Sequence, residues 1–208
     1  MTKLNRRDFI LGSTAVAGLA VFAGPAWAVD LTELNKAPAL GEMSMGPADA
    51  KVIVIEYASA SCPHCAAFYK DTFPALKSEY IDTNKIRFIF REFPHNDAAL
   101  AAFMVARAAP KDAYFPLMDI YFKTQAVWLA NPREGLFNIA KQAGFTQESF
   151  DKALTDQAMA KGILEIRDKA STFGVTGIPT FFIVGNGEML DGEQKIETLR
   201  AKIDPLLG

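Results

Sequence analysis

An α/β fold with an inserted helical block is predicted by three features of the sequence. Two apolar, β-branched runs at 51–57 and 86–93 bracket a helical pattern. A long helical stretch covers 97–173. Two short strands about Gly185-Asn186-Gly187 then lead into one more helix. The bulk numbers agree with a globular chain of one or two domains: 208 residues, 50% hydrophobic, 22% charged, with 14 Gly and 11 Pro. Disorder and collagen-like repeats are excluded, because half of the side chains can enter a core. A net charge of −2, a pI near 5.7 and the lack of a Lys/Arg stripe argue against nucleic acid as a partner.

Each element has a local reason. The run KVIVIEY at 51–57 is too short for a typical helix and reads as a central strand buried on both faces. Ala66, Ala67, Phe68, Phe73, Leu76 and Tyr80 then recur at helical spacing. Pro63 suits the first helical position, where its missing N–H is not needed, and this makes Cys62 the N-cap. Pro74 interrupts the helix farther on. IRFIFREF at 86–93 is a second strand, parallel to the first if the crossover has the usual right hand. Helices are predicted at 97–109, at 113–125, from Asn131-Pro132-Arg133-Glu134 (N-cap, first-turn Pro and capping-box Glu) to near Gly144, from Thr146, and over 157–173. Strands at 180–184 and 188–190 and a helix at 193–207 close the chain, and 29–50 is too short for a domain.

Residues 1–28 read as an export signal. Lys3, Arg6 and Arg7 precede a 16-residue apolar run at 9–24, and Ala26-Trp27-Ala28 fits a cleavage site. The run is short against the roughly 20 residues that span a bilayer, so an uncleaved anchor or a buried helix is the weaker reading. Asn5-Arg6-Arg7-Asp8-Phe9-Ile10 resembles a twin-arginine signal. Cleavage after Ala28 leaves 180 residues with 19 Lys+Arg and 23 Asp+Glu, a net charge of −4, in a periplasmic setting.

Exported proteins can keep disulfides, yet this chain has only two cysteines, in Cys62-Pro63-His64-Cys65. A stapling bridge gains most from a long loop, and this loop is very short. Zinc requires four ligands, and the other soft candidates are His64, between the cysteines, and the distant His95. Attached haem requires His directly after the second Cys, where Ala66 stands. A redox pair, a structural bridge, a metal site and incidental thiols are therefore the four readings, with redox leading. At an N-cap, first-turn N–H groups and the helix dipole favour a Cys62 thiolate. A neighbouring His64, as an imidazolium or an N–H donor, adds to that effect.

The element order is that of a thioredoxin fold with an inserted α-helical domain. VIEYASASCPHC at 54–65, the helical insert, GVTGIPT at 174–180 and the GNG hairpin together resemble the DsbA family of periplasmic thiol:disulfide oxidoreductases. The resemblance covers almost all of the chain after residue 28. It implies a thioredoxin-like unit at 51–94 and 174–208, with 95–173 as the insert. It also implies a reactive Cys62, a buried resolving Cys65, Pro63 and His64 as tuning residues, and a cis proline at Ile178-Pro179 that faces the pair and binds extended substrate. Ile before this proline departs from the enteric DsbA pattern, which has Val, and is similar to thioredoxin.

The resemblance further implies a Cys62 thiol held far below its ordinary pKa. At pH 7 that favours the reduced form by about 5 kcal/mol, most of the roughly 7 kcal/mol that separates DsbA from thioredoxin. Glu56, a lone acid in its strand, is expected to be a buried proton relay to Cys65, with Arg87 and Arg91 as the nearest basic residues. Met43, Met45, Phe115, Tyr121, Phe122 and Trp128 are expected in the core rather than along a peptide groove.

The predicted function is an oxidase that donates the Cys62–Cys65 disulfide to reduced or unfolded exported proteins. It needs no cofactor or metal, acts as a monomer, and is reoxidised by a membrane quinone reductase of the DsbB kind. A disulfide isomerase or reductase is the alternative, although residues 29–50 are too few for the separate dimerisation domain those relatives carry. A non-enzymatic metal- or peptide-binding chaperone on the same scaffold is the second alternative.

Overall fold

The computed structural model describes residues 29–208, so the expected export segment lies outside the described residues. After a single turn, α1 (Leu31–Leu34), five strands make one mixed sheet: β1 (Met43–Met45), β2 (Val52–Ala58), β3 (Ile86–Glu92), β4 (Thr180–Ile183) and β5 (Glu188–Asp191), in the order β1-β3-β2-β4-β5. β2 and β3 are parallel and joined by a helical crossover, and the other pairs are antiparallel. The crossover runs through α2 (Pro63–Asp71), α3 (Phe73–Leu76) and a π turn at Lys77–Ile81. Pro74 sits in the first turn of α3, so the helix breaks where proline forbids its continuation.

β2 is buried on both faces because helices cover both. Val54 and Ala58 join the core under α2, whereas Ile55 and Tyr57 join Ile166, Ala170 and Phe173 on the opposite side. The insert supplies α4 (Asp97–Ala108), α5 (Tyr114–Lys123), α6 (Gln125–Ala130), α7 (Pro132–Ala140), α8 (Gln147–Thr155) and α9 (Gln157–Ala170). α5 packs on α2 and α9 on β3, so the insert covers both faces of the sheet. The chain closes with α10 (Ile196–Leu207), which packs on α3 and β2.

Several local expectations change. The helix expected over 113–125 ends at Thr124, whose hydroxyl donates to the Ile120 carbonyl at 2.7 Å, and α6 starts as a separate helix. The Asn131/Glu134 capping box does not form: the Asn131 amide donates to the Glu134 carboxylate at 2.7 Å instead of accepting a backbone N–H. Residues 29–50, too short for a domain, add an edge strand: β1 extends the sheet beside β3 with Met43 opposite Phe90. Of the six candidate core residues, Tyr121, Phe122 and Trp128 are buried. Met45 and Phe115 instead line a groove of about 630 Å³ with Tyr69, Phe73 and Pro116.

Candidate active site

Cys62 is the N-cap of α2, with φ −85° and ψ 124°, and Pro63 follows as the first helical residue. Both cysteines are free thiols and both are buried, Cys62 with 6% of its surface exposed. The Cys62 thiol lies 3.8 Å from the Ile178 carbonyl oxygen, and the Ile178–Pro179 peptide is cis, so this loop faces the pair. The Cys62 thiol pKa falls to about 6, chiefly because the Cys65 S–H donates to its sulfur. Burial opposes the shift, and the backbone N–H groups of Cys65 and His64 at the helix start add to it. Burial pushes Cys65 far up, reinforced by its bond to Cys62 and by the nearby Glu56 charge. One sulfur is thus held as an anion and the other as a neutral thiol.

His64 contributes through its backbone N–H. Its ring is 74% exposed, with Nδ1 4.0 Å from Glu193 Oε2. The imidazole coupled to Cys62 belongs to His95: a proton on that ring lowers the thiol pKa. His95 Nδ1 is 2.8 Å from Ser59 Oγ. The Asn96 carbonyl oxygen accepts from the Ser61 hydroxyl at 3.1 Å, and the Cys62 N–H donates to the Ser59 carbonyl at 3.1 Å. From the insert, the Gln125 amide donates to the carbonyls of Ala60 and Cys62 at 2.9 and 3.0 Å. The turn before Cys62 is therefore held on both sides by residues outside the CPHC motif. His95 was open to detection: β2 and β3 are parallel, so residues just past their ends share one edge of the sheet. Gln125 carried no comparable signal.

Glu56 is fully buried and neither carboxylate oxygen has a hydrogen-bond partner. Burial raises its pKa well above the ordinary value, and the Tyr69 hydroxyl, also unpartnered, faces it. Arg87 and Arg91 are not its partners. Glu56 pairs in register with Phe90, whereas the two arginines alternate onto the opposite face and bind Glu42 at 2.9 and 2.6 Å. Among the described residues no group of three or more His, Cys, Asp or Glu is placed to hold a metal ion.

A thioredoxin family model matches residues 39–205. The chain belongs to the thioredoxin family. Among solved structures, this thioredoxin-family protein resembles Wolbachia pipientis α-DsbA1, with a TM-score of 0.77 and 28% identity over 85% of this chain and 95% of that one. BdbD from Bacillus subtilis matches in fold, with a TM-score of 0.71 at 20% identity over 82% of this chain and 96% of that one. A Rickettsia bellii protein named for protein-disulfide oxidoreductase activity is 36% identical over 169 residues, 78% of this chain and 63% of that relative. The chain spans about three-fifths of the length of the curated relatives it matches first.

Proposed function

We propose that this protein is an exported thiol:disulfide oxidoreductase of the DsbA type, acting as an oxidase on reduced or unfolded exported proteins. The observation that carries the reading is the asymmetry of the pair: Cys62 is stabilised as a thiolate at the start of α2 and Cys65 is held neutral beneath it. A substrate thiolate attacks Cys62 in the Cys62–Cys65 disulfide, a mixed disulfide forms, and Cys65 is released. A second substrate thiolate then displaces Cys62, which leaves readily because its thiolate is stable. In this reading the backbone of Ile178, beside Pro179 and 3.8 Å from the Cys62 thiol, pairs with an extended substrate, and Glu56 exchanges a proton with Cys65. In this reading 51–94 and 174–208 carry the chemistry, and the insert 95–173 holds the active-site turn through Gln125. The leader pattern of 1–28 supports a periplasmic site of action, where a membrane quinone reductase of the DsbB kind restores the disulfide to the monomer. No helix among the described residues is long and apolar enough to cross a membrane.

A second reading, reductase or isomerase, is favoured by one magnitude. With Cys62 titrating at about 6, the thiolate advantage at pH 7 over an ordinary thiol is one decade, about 1.4 kcal/mol or about 30 mV. That is well short of the 5 kcal/mol the family resemblance implies. Equilibration with glutathione buffers separates the readings: an oxidase gives a potential well above that of thioredoxin, and a reductase one near it. In the same assay Cys62→Ser abolishes exchange and Cys65→Ser accumulates mixed disulfides. Rapid turnover by Cys65→Ser overturns the assignment of Cys65 as resolving thiol.

A further inference from the structure

The chain has two histidines, and the one outside the CPHC motif is the better connected to the reactive pair. The proton on the His95 ring is located by its neighbours. The Asn96 side-chain carbonyl accepts the Ala99 N–H at 2.9 Å, a backbone donor that fixes which way the amide points. The amide NH2 therefore faces His95 Nε2, 3.2 Å away, and Nε2 acts as acceptor. The ring carries its proton on Nδ1 and donates it to Ser59 Oγ. Ser59 in turn accepts the Cys62 N–H with its carbonyl and turns its own N–H toward the Cys65 sulfur. One residue thus links the imidazole to both cysteines. Nε2 sits at an exposed position and is held only by the longer Asn96 contact, so it can take a proton.

We propose that His95 takes up the proton set free when the Cys62–Cys65 disulfide is reduced, so that the reduced site holds a Cys62 thiolate and a His95 imidazolium. The inference rests on the disulfide-exchange reading. Two substrate thiols enter as R–SH, their S–S bond forms as the Cys62–Cys65 bond breaks, and two electrons pass to the cysteine pair. Two protons are released. One goes to Cys65, and because Cys62 remains a thiolate the second goes to His95 Nε2, ending the Asn96 contact. The titratable groups nearest His95 are Cys62, to which its charge is coupled, and Asp97 in the first turn of α4. No carboxylate among the described residues lies within 4.0 Å of the ring. Of these groups Cys62 is the one that gains a negative charge on reduction. A positive His95 lowers the Cys62 thiol pKa, which is the same coupling seen from the sulfur.

The test is an NMR titration of the His95 ring in the oxidised and reduced full chain, with the two histidines assigned by comparison with His64→Gln. Reduction raises the His95 midpoint, by about threefold or more in its ionisation constant, the size of a unit charge pair near a surface. By linkage, His95→Gln raises the Cys62 thiolate midpoint by the same factor. The Gln amide can still hydrogen-bond Ser59, so a purely structural role leaves that midpoint unchanged. Equal His95 midpoints in the two redox states, or an unmoved Cys62 in His95→Gln, overturns the proposal. Failure of the exchange reading itself shows separately, as wild-type protein that does not equilibrate with glutathione.

Discussion

Cys62 and Cys65 lie one helical turn apart yet hold their protons very differently, and the difference has a pH signature. The Cys62 pKa is lowered from 9.0 to about 6, so the advantage of the reduced form over an ordinary dithiol is absent below pH 6, grows between 6 and 9, and is complete above 9 at about 4 kcal/mol. The alkylation rate of the reduced protein is accordingly expected to rise through pH 6 and level off well before pH 8. Glu56 carries the opposite sign. Its carboxyl pKa is raised, so the wild-type fold loses stability as pH climbs above 4.5, when a buried group without partners must ionise or hold its proton against solvent. Glu56→Gln is expected to stabilise the fold by about 1–3 kcal/mol at pH 7 and to lose that advantage near pH 4, as read by thermal melts. The same variant slows exchange through Cys65 if the carboxyl moves its proton. A melt of Glu56→Gln that matches wild type at both pH values contradicts the burial account.

At the scale of elements, α6 matters because its first residue, Gln125, holds the carbonyls of Ala60 and Cys62. α6 is itself seated on α7 at Gly135, where a Cβ would meet the Trp128 backbone at 2.6 Å. Gly135→Ala should therefore destabilise by about 1–3 kcal/mol in urea unfolding, although alanine is the better helix former. A stabilised variant shows that the two helices can part freely. Both strands of the βαβ unit, the N-cap cysteine, the Pro74 break and the GNG hairpin were legible, because each rests on a local rule of period, proline geometry or turn chemistry. β1 was not legible: three residues, Met43–Met45, are too few to establish a period, and their strand state comes from pairing with β3. Nor was the division at Thr124, which depends on one hydroxyl turning back onto its own helix. At the site, the CPHC pair and the proline loop declared themselves by spacing. The Ser59, His95, Asn96 and Gln125 contacts arise only when 51–62, 86–99 and α6 meet in space.

Across the whole molecule, a buried ion pair ties the N-terminal segment, the sheet and the insert together. Arg107 of α4 binds Glu92 at the end of β3 through two hydrogen bonds, at 2.6 and 2.9 Å, with both side chains nearly inaccessible. The Tyr114 hydroxyl donates to the same carboxylate, and Arg107 reaches the carbonyls of Leu40 and Gly41. Arg107→Met leaves Glu92 buried without its cation and is expected to cost about 3–5 kcal/mol in denaturant unfolding. Adding Glu92→Leu should recover part of that loss, since an apolar pair avoids the desolvation that a lone charge suffers. Additive losses in the double variant count against a paired role. Fold and chemistry meet at the edge where β2 and β3 end, because the turn before Cys62 is held there by the insert and the Cys62 thiol itself faces the proline loop. The most direct test of the central claim is the thiolate absorbance of the reduced protein followed against pH, with Cys62→Ser as the blank. A midpoint at about 6 for Cys62, with Cys65 silent through pH 9, is the predicted result. A midpoint near 9.0, the ordinary value from which the shift is taken, contradicts it.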